Sequence, residues 1–357
     1  MERTSLIVPS VQEIAQQRLT TVPDRYIRPH HDRPIISTIT PLPQVPIIDL
    51  TKLLSQDLNF KQPELHNLHS ACKEWGFFQL INHGVSSSLM ENVKNGAKEF
   101  YNLPYEEKRK FGQKEGEVEG YGQAFVISEE QKLDWADMFF MVTLPPQLRK
   151  PHLFPKLPLP FRDHLETYAT ELKNLAMQVI DFMANALKVE PKEIRELFGE
   201  SAHQSTRINY YPPCPQPELV TGLSSHSDGG GLTILLQGND VEGLQIKKDG
   251  LWIPVKPLPN AFIINLGDML EMITNGIYGS IDHRATVNSK MERFSIATFY
   301  SPSMEGMVYP APTLVTPNTP AVFKTISVKD FYIGYLGREL RGKSFLDSLR
   351  IQNEDVK

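Results

Sequence analysis

Hydrophobic positions recur with helical spacing in the first half of the chain and at the C-terminal end. Between residues 161 and 187, apolar side chains repeat at intervals of three and four, which predicts a long amphipathic helix. Shorter stretches with the same spacing predict helices at about 11–19, 86–101, 328–336 and 344–349. We therefore expect helices to flank a core of another kind.

After about residue 205 the pattern changes to short runs rich in β-branched and aromatic residues, separated by turns. The predicted strands are 207–211, 231–237, 243–247, 251–255, 261–265 and 293–300. Lys248-Asp249-Gly250 predicts a hairpin, because glycine adopts the positive φ that a tight turn requires. Closely spaced short strands are typical of a sandwich or barrel. The sequence thus predicts a mainly β core with flanking α-helices.

Proline-rich stretches and changes of pattern suggest five segments. Six prolines fall within the first 45 residues, and another proline-rich stretch follows at 145–160. The predicted segments are an N-terminal arm (1–45), an N-terminal region (46–150), a helical support (151–202), a β core (203–303) and a C-terminal helical tail (304–357).

Composition excludes several classes of partner. The chain has 37 basic and 42 acidic residues, a net charge of −5, without a block of like charges that would attract nucleic acid or anionic lipid. We find neither a signal-peptide pattern nor a run of about 18 apolar residues, so we expect no membrane partner. Cys72 and Cys214 lie far apart in sequence, which favours a reduced, cytoplasmic protein.

Candidate metal ligands lie in the β core. His226 and Asp228 are separated by one residue at a predicted strand end, so their side chains share a face. His283 follows on another short strand, which a barrel could bring beside the first. Two imidazoles and a carboxylate suit Fe(II), since three coordination positions stay open. Catalytic zinc uses the same donors, so the ligands alone leave both metals possible.

Arg293 and Ser295 on the following strand favour iron. These two residues share a strand face, so a guanidinium and a hydroxyl group point into the same cavity. Together they could bind a carboxylate in a bidentate manner. A dicarboxylic keto acid held there by its far end could present its other end to the metal.

These residues, together with several longer motifs, resemble the plant 2-oxoglutarate- and Fe(II)-dependent dioxygenases. The likeness spans nearly the whole chain and extends to the subgroup of senescence-related dioxygenases and of the opium-poppy thebaine and codeine O-demethylases. The motifs are Pro9-Ser10-Val11-Gln12-Glu13, Ala71-Cys72-Lys73-Glu74-Trp75-Gly76-Phe77-Phe78, Asn82-His83-Gly84-Val85, Leu133-Asp134-Trp135-Ala136-Asp137 and Asn209-Tyr210-Tyr211-Pro212-Pro213-Cys214-Pro215.

The resemblance implies a double-stranded β-helix, or jelly roll, with a catalytic iron centre. It makes segment 46–150 the N-terminal dioxygenase region and segment 203–303 the Fe(II)/2-oxoglutarate dioxygenase core. His226, Asp228 and His283 would be the catalytic iron ligands. His83 is expected to be a hydrogen-bonded turn histidine rather than a ligand.

The resemblance also implies a 2-oxoglutarate site. Arg293 and Ser295 would bind the distal carboxylate of the co-substrate, and Tyr211 and Asn209 would be further co-substrate contacts. Dioxygen is the other co-substrate, and ascorbate is expected to support turnover. We expect a monomeric oxidoreductase that hydroxylates or O-demethylates a small plant specialised metabolite with release of succinate and CO2.

Local sequence features bear on the size of the substrate. Three glycines, Gly229-Gly230-Gly231, follow Asp228 directly, and small residues beside a metal leave space. We therefore hypothesise a pocket for a bulky, polycyclic substrate. Hydrophobic candidates for its wall are Phe125, Phe140, Met141, Phe299 and Tyr300.

Two other functions compete with the dioxygenase. A jelly roll of this kind could be a non-catalytic, metal-binding receptor or carrier of a small molecule. A complete ligand set together with the Arg293 and Ser295 pair argues against this, because a receptor needs neither. A zinc hydrolase is the third possibility, but no general base stands near the His-x-Asp segment.

Overall fold

A computed structural model describes residues 5–17, 19–30, 43–114, 116–199, 201–340 and 342–351. Parts of the predicted arm (1–4, 18 and 31–42) and of the predicted tail (341 and 352–357) lie outside the described residues. The predicted helix at 11–19 is present as a shorter helix, Val11–Gln16.

The helices occur mainly in the first half of the chain and near its C-terminus, as predicted. They are α1 (Val11–Gln16), α2 (Leu50–Leu54), α3 (Leu58–Ser70), α4 (Ser87–Asn102), α5 (Tyr105–Arg109), α6 (Phe161–Ala186), α7 (Pro191–Phe198), α8 (Asp268–Ile273), α9 (Val328–Leu336) and α10 (Ser344–Ser348). None of the helices built from described residues has the length and apolar character needed to cross a membrane.

The strands form two large sheets and a small pair. They are β1 (Ile47–Asp49), β2 (Phe77–Ile81), β3 (Gly120–Gly122), β4 (Asp137–Leu144), β5 (His203–Tyr211), β6 (Leu223–His226), β7 (Leu232–Gln237), β8 (Leu244–Lys248), β9 (Leu251–Pro254), β10 (Phe262–Leu266), β11 (His283–Ala285), β12 (Arg293–Ser301), β13 (Met307–Val308) and β14 (Ile326–Ser327). The main sheet has the order β1-β2-β10-β7-β12-β5-β4-β3 and the smaller one β6-β11-β8-β9. β13 pairs with β14.

The two large sheets form the predicted double-stranded β-helix. A hydrophobic cluster that includes Phe77, Leu235, Ile246 and Ala297 joins the inner faces of the two sheets. Helix α6 covers the outside of the main sheet and packs against β4, β7 and β12. Its apolar stripe is buried, as the spacing of three and four predicts. The inner faces are thereby left to hold the site.

Two kinds of element were missed by the sequence patterns. β4 is buried on both faces along most of its length, and such a strand reads as a continuous apolar run without alternation. α8 has only six residues, all of them buried, so its pattern is too short to distinguish a helix from a buried strand. The sequence alone could not assign these segments from periodicity.

The motif at 133–137 attaches the N-terminal arm to the main sheet. Asp137 accepts hydrogen bonds from the Ser10 hydroxyl at 2.7 Å and from the backbone N–H groups of Val11 and Gln12 at 2.9 Å. These are donors at the start of α1 that the helix itself leaves unpaired. Trp135 is fully buried beneath the arm. The motif is therefore explained by packing and capping.

Candidate active site

Two antiparallel strands bring the predicted metal ligands together. His226 at the end of β6 is the direct partner of His283 at the start of β11, and their ring centroids are 4.2 Å apart. Asp228 follows β6, with Oδ1 3.5 Å from His226 Nε2 and 3.7 Å from His283 Nε2. All three side chains are buried, and their ligand atoms lie within 4.8 Å of one another.

Backbone carbonyl groups set the orientation of both imidazole rings. His226 Nδ1 lies 2.8 Å from the carbonyl oxygen of Ser224, and His283 Nδ1 lies 3.1 Å from that of Ile281. A carbonyl oxygen only accepts, so each Nδ1 carries the proton and donates it. Each Nε2 then presents a lone pair toward Asp228. Two lone pairs facing a carboxylate oxygen are favourable only if a cation lies between them.

The electrostatics of the site produce the protonation states that a metal requires. Burial, together with the neighbouring imidazole of His226, lowers the pKa of His283 to about 4, so this ring is neutral at pH 7. Burial by itself would raise the pKa of Asp228. The positive charge that His283 carries at the low pH where this carboxyl titrates, together with a hydrogen bond from Thr233, outweighs burial and holds the pKa of Asp228 well below its ordinary value. A neutral imidazole and an ionised carboxylate are the metal-binding forms.

Two residues that the sequence analysis did not single out hold the second oxygen of Asp228. Oδ2 accepts hydrogen bonds from the Thr233 hydroxyl at 2.6 Å and from the Asn265 amide at 2.7 Å. Asn265 is a polar residue inside the otherwise apolar strand β10. Such an isolated polar position in a buried strand was the available signal, because a buried amide requires a partner.

Arg293, at the start of β12, is a buried cation with unused donors. Its Nη2 donates to Gln237 Oε1 at 2.8 Å, and its Cζ lies 5.0 Å from the ring centre of Tyr211. Its Nε and Nη1 are buried, and neither has a hydrogen-bond partner among the described residues. Only 2% of Arg293 is exposed. Leaving two N–H groups of a buried guanidinium unpaired is costly, so an anionic ligand is expected here.

The remaining predicted co-substrate residues lie beside Arg293. In the ladder between β5 and β12, Arg293 faces Tyr211 and Ser295 faces Asn209. The Asn209 amide lies 3.5 Å from the Ser295 hydroxyl, a long hydrogen bond. We call the space that these four residues share with the metal-ligand triad the inner pocket. It is lined by Phe77, Arg207, Asn209, Tyr211, Leu223, His226, Asp228, Thr233, Leu235, Leu244, Asn265, His283, Arg284, Ala285, Arg293, Ser295, Ala297 and Phe299.

A much larger cavity adjoins the inner pocket. This outer cavity has a volume of about 820 Å3, and its lining includes Phe125, Trp252, Arg284 and Leu340. Arg284 lines both spaces, so the two are neighbours. Its guanidinium lies 4.1 Å from the Trp252 ring centre and donates to Gln245 at 2.8 Å. The outer cavity therefore borders the pocket that contains the metal-ligand triad.

The predicted wall residues divide into two groups. Phe125 lines the outer cavity and Phe299 lines the inner pocket, while Phe140 packs against Phe299 with ring centres 6.4 Å apart. Met141 and Tyr300 were wrong as wall candidates. Both belong to the main hydrophobic core, because alternation along β4 and β12 turns them away from the site.

The glycines after Asp228 do not make room for a substrate. A Cβ atom on Gly229 would lie 3.0 Å from the ring of Tyr335, and one on Gly230 would lie 2.6 Å from the Ser301 hydroxyl oxygen. None of the three glycines lines the inner pocket or the outer cavity. The hypothesis that they widen the pocket is thus wrong: these small residues allow protein side chains to pack against the segment.

His83 is the turn histidine that was expected. The backbone N–H of Val85 donates to its Nδ1 at 3.2 Å, and its Nε2 lies 3.1 Å from the carbonyl oxygen of Asn260. Both ring nitrogens are therefore occupied in holding the turn. The ring also packs against Phe262, on the far side of β10 from Asn265 in the strand alternation.

Comparisons with known proteins agree with this geometry. The family model of the 2OG-Fe(II) oxygenase superfamily matches residues 202–302, and the model of the non-haem dioxygenase in morphine synthesis N-terminal region matches residues 45–157. The chain is 56% identical to oxoglutarate-dependent flavonoid 7-O-demethylase 1 of Ocimum basilicum, over 98% of this chain and 92% of that protein. It is 53% identical to thebaine 6-O-demethylase of Papaver somniferum, over 96% of each.

A solved structure has the same fold over nearly its full length. The crystal structure of JOX2 in complex with 2OG, Fe and JA matches with a TM-score of 0.88 and 36% sequence identity. The match covers 97% of this chain and 98% of that chain. That structure contains both the metal and the co-substrate that the donor groups described above would suit.

Proposed function

The chain belongs to the 2OG-Fe(II) oxygenase superfamily, and on this basis we propose which of its residues bind the iron and the co-substrate. The protein is a 2-oxoglutarate-dependent dioxygenase, an oxidoreductase that uses Fe(II) and dioxygen. A non-catalytic receptor and a zinc hydrolase are accordingly not supported. In our proposal, His226, Asp228 and His283 bind the iron.

The observation that carries this proposal is the combination of a three-ligand site and a buried arginine with unused donors. Two imidazole nitrogens and a single carboxylate oxygen suit Fe(II) and leave adjacent positions open. When bound, iron and 2-oxoglutarate supply the oxidising chemistry, with dioxygen consumed and succinate and CO2 released. The protein positions these groups and keeps bulk water away, since every proposed ligand is buried.

We assign the co-substrate to the four residues beside the triad. The unused N–H groups of Arg293 would bind the distal carboxylate of 2-oxoglutarate as a fork, and the Ser295 hydroxyl would donate to the same group. Tyr211, whose ring lies against the guanidinium, would close that end of the site. Asn209, on the same strand face and one step nearer Arg207, would contact the co-substrate along its length.

We further propose that the reaction is oxidation of an O-methyl group of a small, polycyclic plant specialised metabolite. Hydroxylation of such a methyl group releases formaldehyde and leaves a free hydroxyl. Two relatives that are more than half identical are named as O-demethylases, one of a flavonoid and one of thebaine. An outer cavity of about 820 Å3 is within the usual range for sites that enclose ligands of several rings. The support for a bulky substrate is therefore the cavity, rather than the glycines.

The iron and co-substrate assignment is tested by anaerobic titration of the protein with Fe(II) and 2-oxoglutarate. We expect a visible metal-to-ligand charge-transfer band in the parent. The band should be absent in His283→Ala and should need a much higher 2-oxoglutarate concentration in Arg293→Met. His66→Ala, on the exposed side of α3, is the matched control and should behave as the parent. A folded, metal-loaded parent without the band would overturn the assignment.

The reaction is tested by aerobic assays with ascorbate, which is expected to keep the iron reduced. O-methylated flavonoids and O-methylated alkaloids are the substrates to supply. We expect formaldehyde and succinate in equal amounts for a substrate that is demethylated. Succinate with a hydroxylated product that retains its methyl group would instead establish ring or side-chain hydroxylation.

The proposal also includes the cellular compartment and the oligomeric state. The free thiols of Cys72 and Cys214 are both buried, which supports a reducing compartment such as the cytoplasm. We propose that the enzyme acts as a monomer, because one chain contains every group that the reaction requires. Light scattering on the metal-loaded protein should give the mass of a single chain, and a dimer mass would contradict this.

A further inference from the structure

Arg207 lies in the inner pocket, yet nothing in the proposed function uses it. It is on β5, two residues before Asn209 and four before Tyr211, so the three side chains share the inner face of the sheet. Its side chain is partly buried and lines the same pocket as the metal-ligand triad. The residue directly opposite on β12 is Ala297, which has a small side chain and lines the same pocket.

The guanidinium of Arg207 has no hydrogen bond or ion pair within the part of the chain that the structure describes. Its Nε is buried without a partner. The other two cations of the inner pocket differ: Arg284 is stacked on Trp252 and donates to Gln245, while Arg293 is bound to Gln237. A partly buried guanidinium without an acceptor pays a desolvation cost that a ligand oxygen would offset.

The charge balance of the inner pocket also leaves this cation unmatched. Among the described residues that line the pocket, the guanidinium groups of Arg207, Arg284 and Arg293 stand against the single carboxylate of Asp228. In the proposed function Asp228 binds the iron and Arg293 binds the distal carboxylate of 2-oxoglutarate. Arg207 is then the donor that remains available to the substrate.

Position along the strand separates Arg207 from the co-substrate. Tyr211 faces Arg293, Asn209 faces Ser295 and Arg207 faces Ala297, so Arg207 lies two strand steps, or about 13 Å, from the carboxylate-binding end. A dicarboxylate as short as 2-oxoglutarate, if held at Arg293, would span less than this distance. The backbone position of Arg207 lies beyond it.

Aromatic residues occupy neighbouring positions of the sheet beside Arg207. Phe140 is its direct neighbour on β4, and Phe299 lies one step further along β12 on the same inner face. The rings of Phe140 and Phe299 contact each other edge to face. A cation on a sheet face that also carries two aromatic residues suits an oxygen attached to a flat ring system, because the ring can pack while the oxygen accepts a hydrogen bond.

We propose that Arg207 is the substrate-recognition residue of the inner pocket and that it binds an electron-rich oxygen of an aromatic substrate. This inference rests on the proposed function and narrows its substrate class. The oxygen belongs either to a phenol or ring carbonyl, or to a carboxylate. A substrate that offers only a protonated amine at this position is excluded, since two cations would face each other.

The test measures how tightly substrate probes bind to the anaerobic complex of the protein with Fe(II) and 2-oxoglutarate. Binding is detected as a shift of the charge-transfer band of that complex. Three O-methylated probes distinguish the oxygen sources: a 7-methoxyflavone with a free 5-hydroxyl, 4-methoxycinnamate and 4-methoxyphenethylamine. Arg207→Met keeps the length of the side chain and removes its donors, and Arg207→Lys keeps the charge. Arg109→Met, at an exposed arginine paired with Glu106, is the matched control.

We expect Arg207→Met to raise the dissociation constant of the oxygen-bearing probe that the parent prefers by about 10- to 100-fold, the value of a charge-assisted hydrogen bond. Arg207→Lys should recover more of the affinity for the carboxylate probe than for the flavone, because lysine lacks the fork of donors. In both variants the band without probe should form at the 2-oxoglutarate concentration that the parent needs.

Three results would overturn the inference. Equal probe affinity in Arg207→Met and the parent would show that the guanidinium does not contact the substrate. Tighter binding of the amine probe than of either oxygen-bearing probe would reverse the proposed chemistry, and a parent that binds none of the three would also count against it. In each case a normal band without probe leaves the proposed iron and co-substrate sites intact, so the two proposals fail separately.

Discussion

Asn265 donates a hydrogen bond of 2.7 Å to Oδ2 of Asp228, the carboxylate oxygen opposite the one that faces the two imidazoles. Thr233 donates to the same oxygen at 2.6 Å. With Oδ2 engaged twice, Oδ1 alone is directed at the site enclosed by His226 and His283. The carboxylate of Asp228 is therefore oriented to bind a metal ion through one oxygen only. Binding through one oxygen rather than two leaves a further coordination position of the metal open.

Replacement of Asn265 by leucine should weaken iron binding while the three ligands stay in place. Loss of a hydrogen bond that orients a ligand typically lowers metal affinity by about 10- to 100-fold. The measurement is the dissociation constant for Mn(II) or Fe(II) in the absence of oxygen. Asn59→Leu, on the exposed face of α3, is the control. If Asn265→Leu binds metal as tightly as the parent, the amide does not position Asp228.

Metal removal should abolish the stabilising effect of 2-oxoglutarate. A ligand present at 100 times its dissociation constant stabilises the folded state by about 2.7 kcal/mol. We expect 2-oxoglutarate to raise Tm when Fe(II) or Mn(II) is present and to leave it unchanged after chelation, since part of the co-substrate site is the metal. In Arg293→Met the rise caused by metal should persist and the further rise caused by 2-oxoglutarate should be lost. Stabilisation of the chelated protein by 2-oxoglutarate would show that the co-substrate binds without the metal and would contradict this prediction.

The glycine after Asp228 should be sensitive to substitution for reasons of packing. An added Cβ on Gly229 would lie 3.0 Å from the Tyr335 ring, whose hydroxyl donates to the carbonyl oxygen of Ser227 at 2.8 Å. We expect Gly229→Ala to lower the free energy of unfolding by about 1–3 kcal/mol, as overpacking usually does. Gly279→Ala is the matched control, because the nearest atoms to its Cβ lie at 3.9 Å. Denaturant titration of both variants provides the comparison.

A second substitution separates packing from substrate space at the same position. If the ring of Tyr335 is what Gly229→Ala strains, then combining it with Tyr335→Leu should cost less than the sum of the two single changes. Additive costs would show that the strain has another origin. We expect the KM for the substrate to be unchanged in Gly229→Ala, because this glycine lines neither the inner pocket nor the outer cavity.

Phe125 should contribute to substrate binding from the outer cavity. It lines that cavity, and its ring is edge-on to Tyr335 with centres 5.8 Å apart. We expect Phe125→Ala to raise KM for an aromatic substrate roughly 2- to 10-fold, the range for losing one aromatic contact. The KM for 2-oxoglutarate should not change, since the co-substrate site is on β5 and β12. Met141→Ala serves as the contrast: it should reduce stability by about 2–5 kcal/mol, because Met141 is buried in the core.

The sequence by itself determined the features that depend on local spacing. Alternation along single strands placed His226 with Asp228 and Arg293 with Ser295, because neighbours at two residues share a face of any strand. The spacing of apolar residues also located α6 and α9, since a surface helix requires a continuous apolar stripe. These features are fixed before the chain folds onto itself.

Only the tertiary structure decided which distant positions meet. His283 became the partner of His226 through the register of two short strands, and Asn265 reached Asp228 from the opposite sheet. The glycines after Asp228 proved to face Tyr335 and other side chains rather than a substrate, and the buried Nε of Arg207 proved to have no acceptor among the described residues. The physical reason is that contacts between residues far apart in sequence are set by strand register and by the packing of the two sheets. Neither leaves a periodic pattern in the local sequence from which these contacts could be predicted.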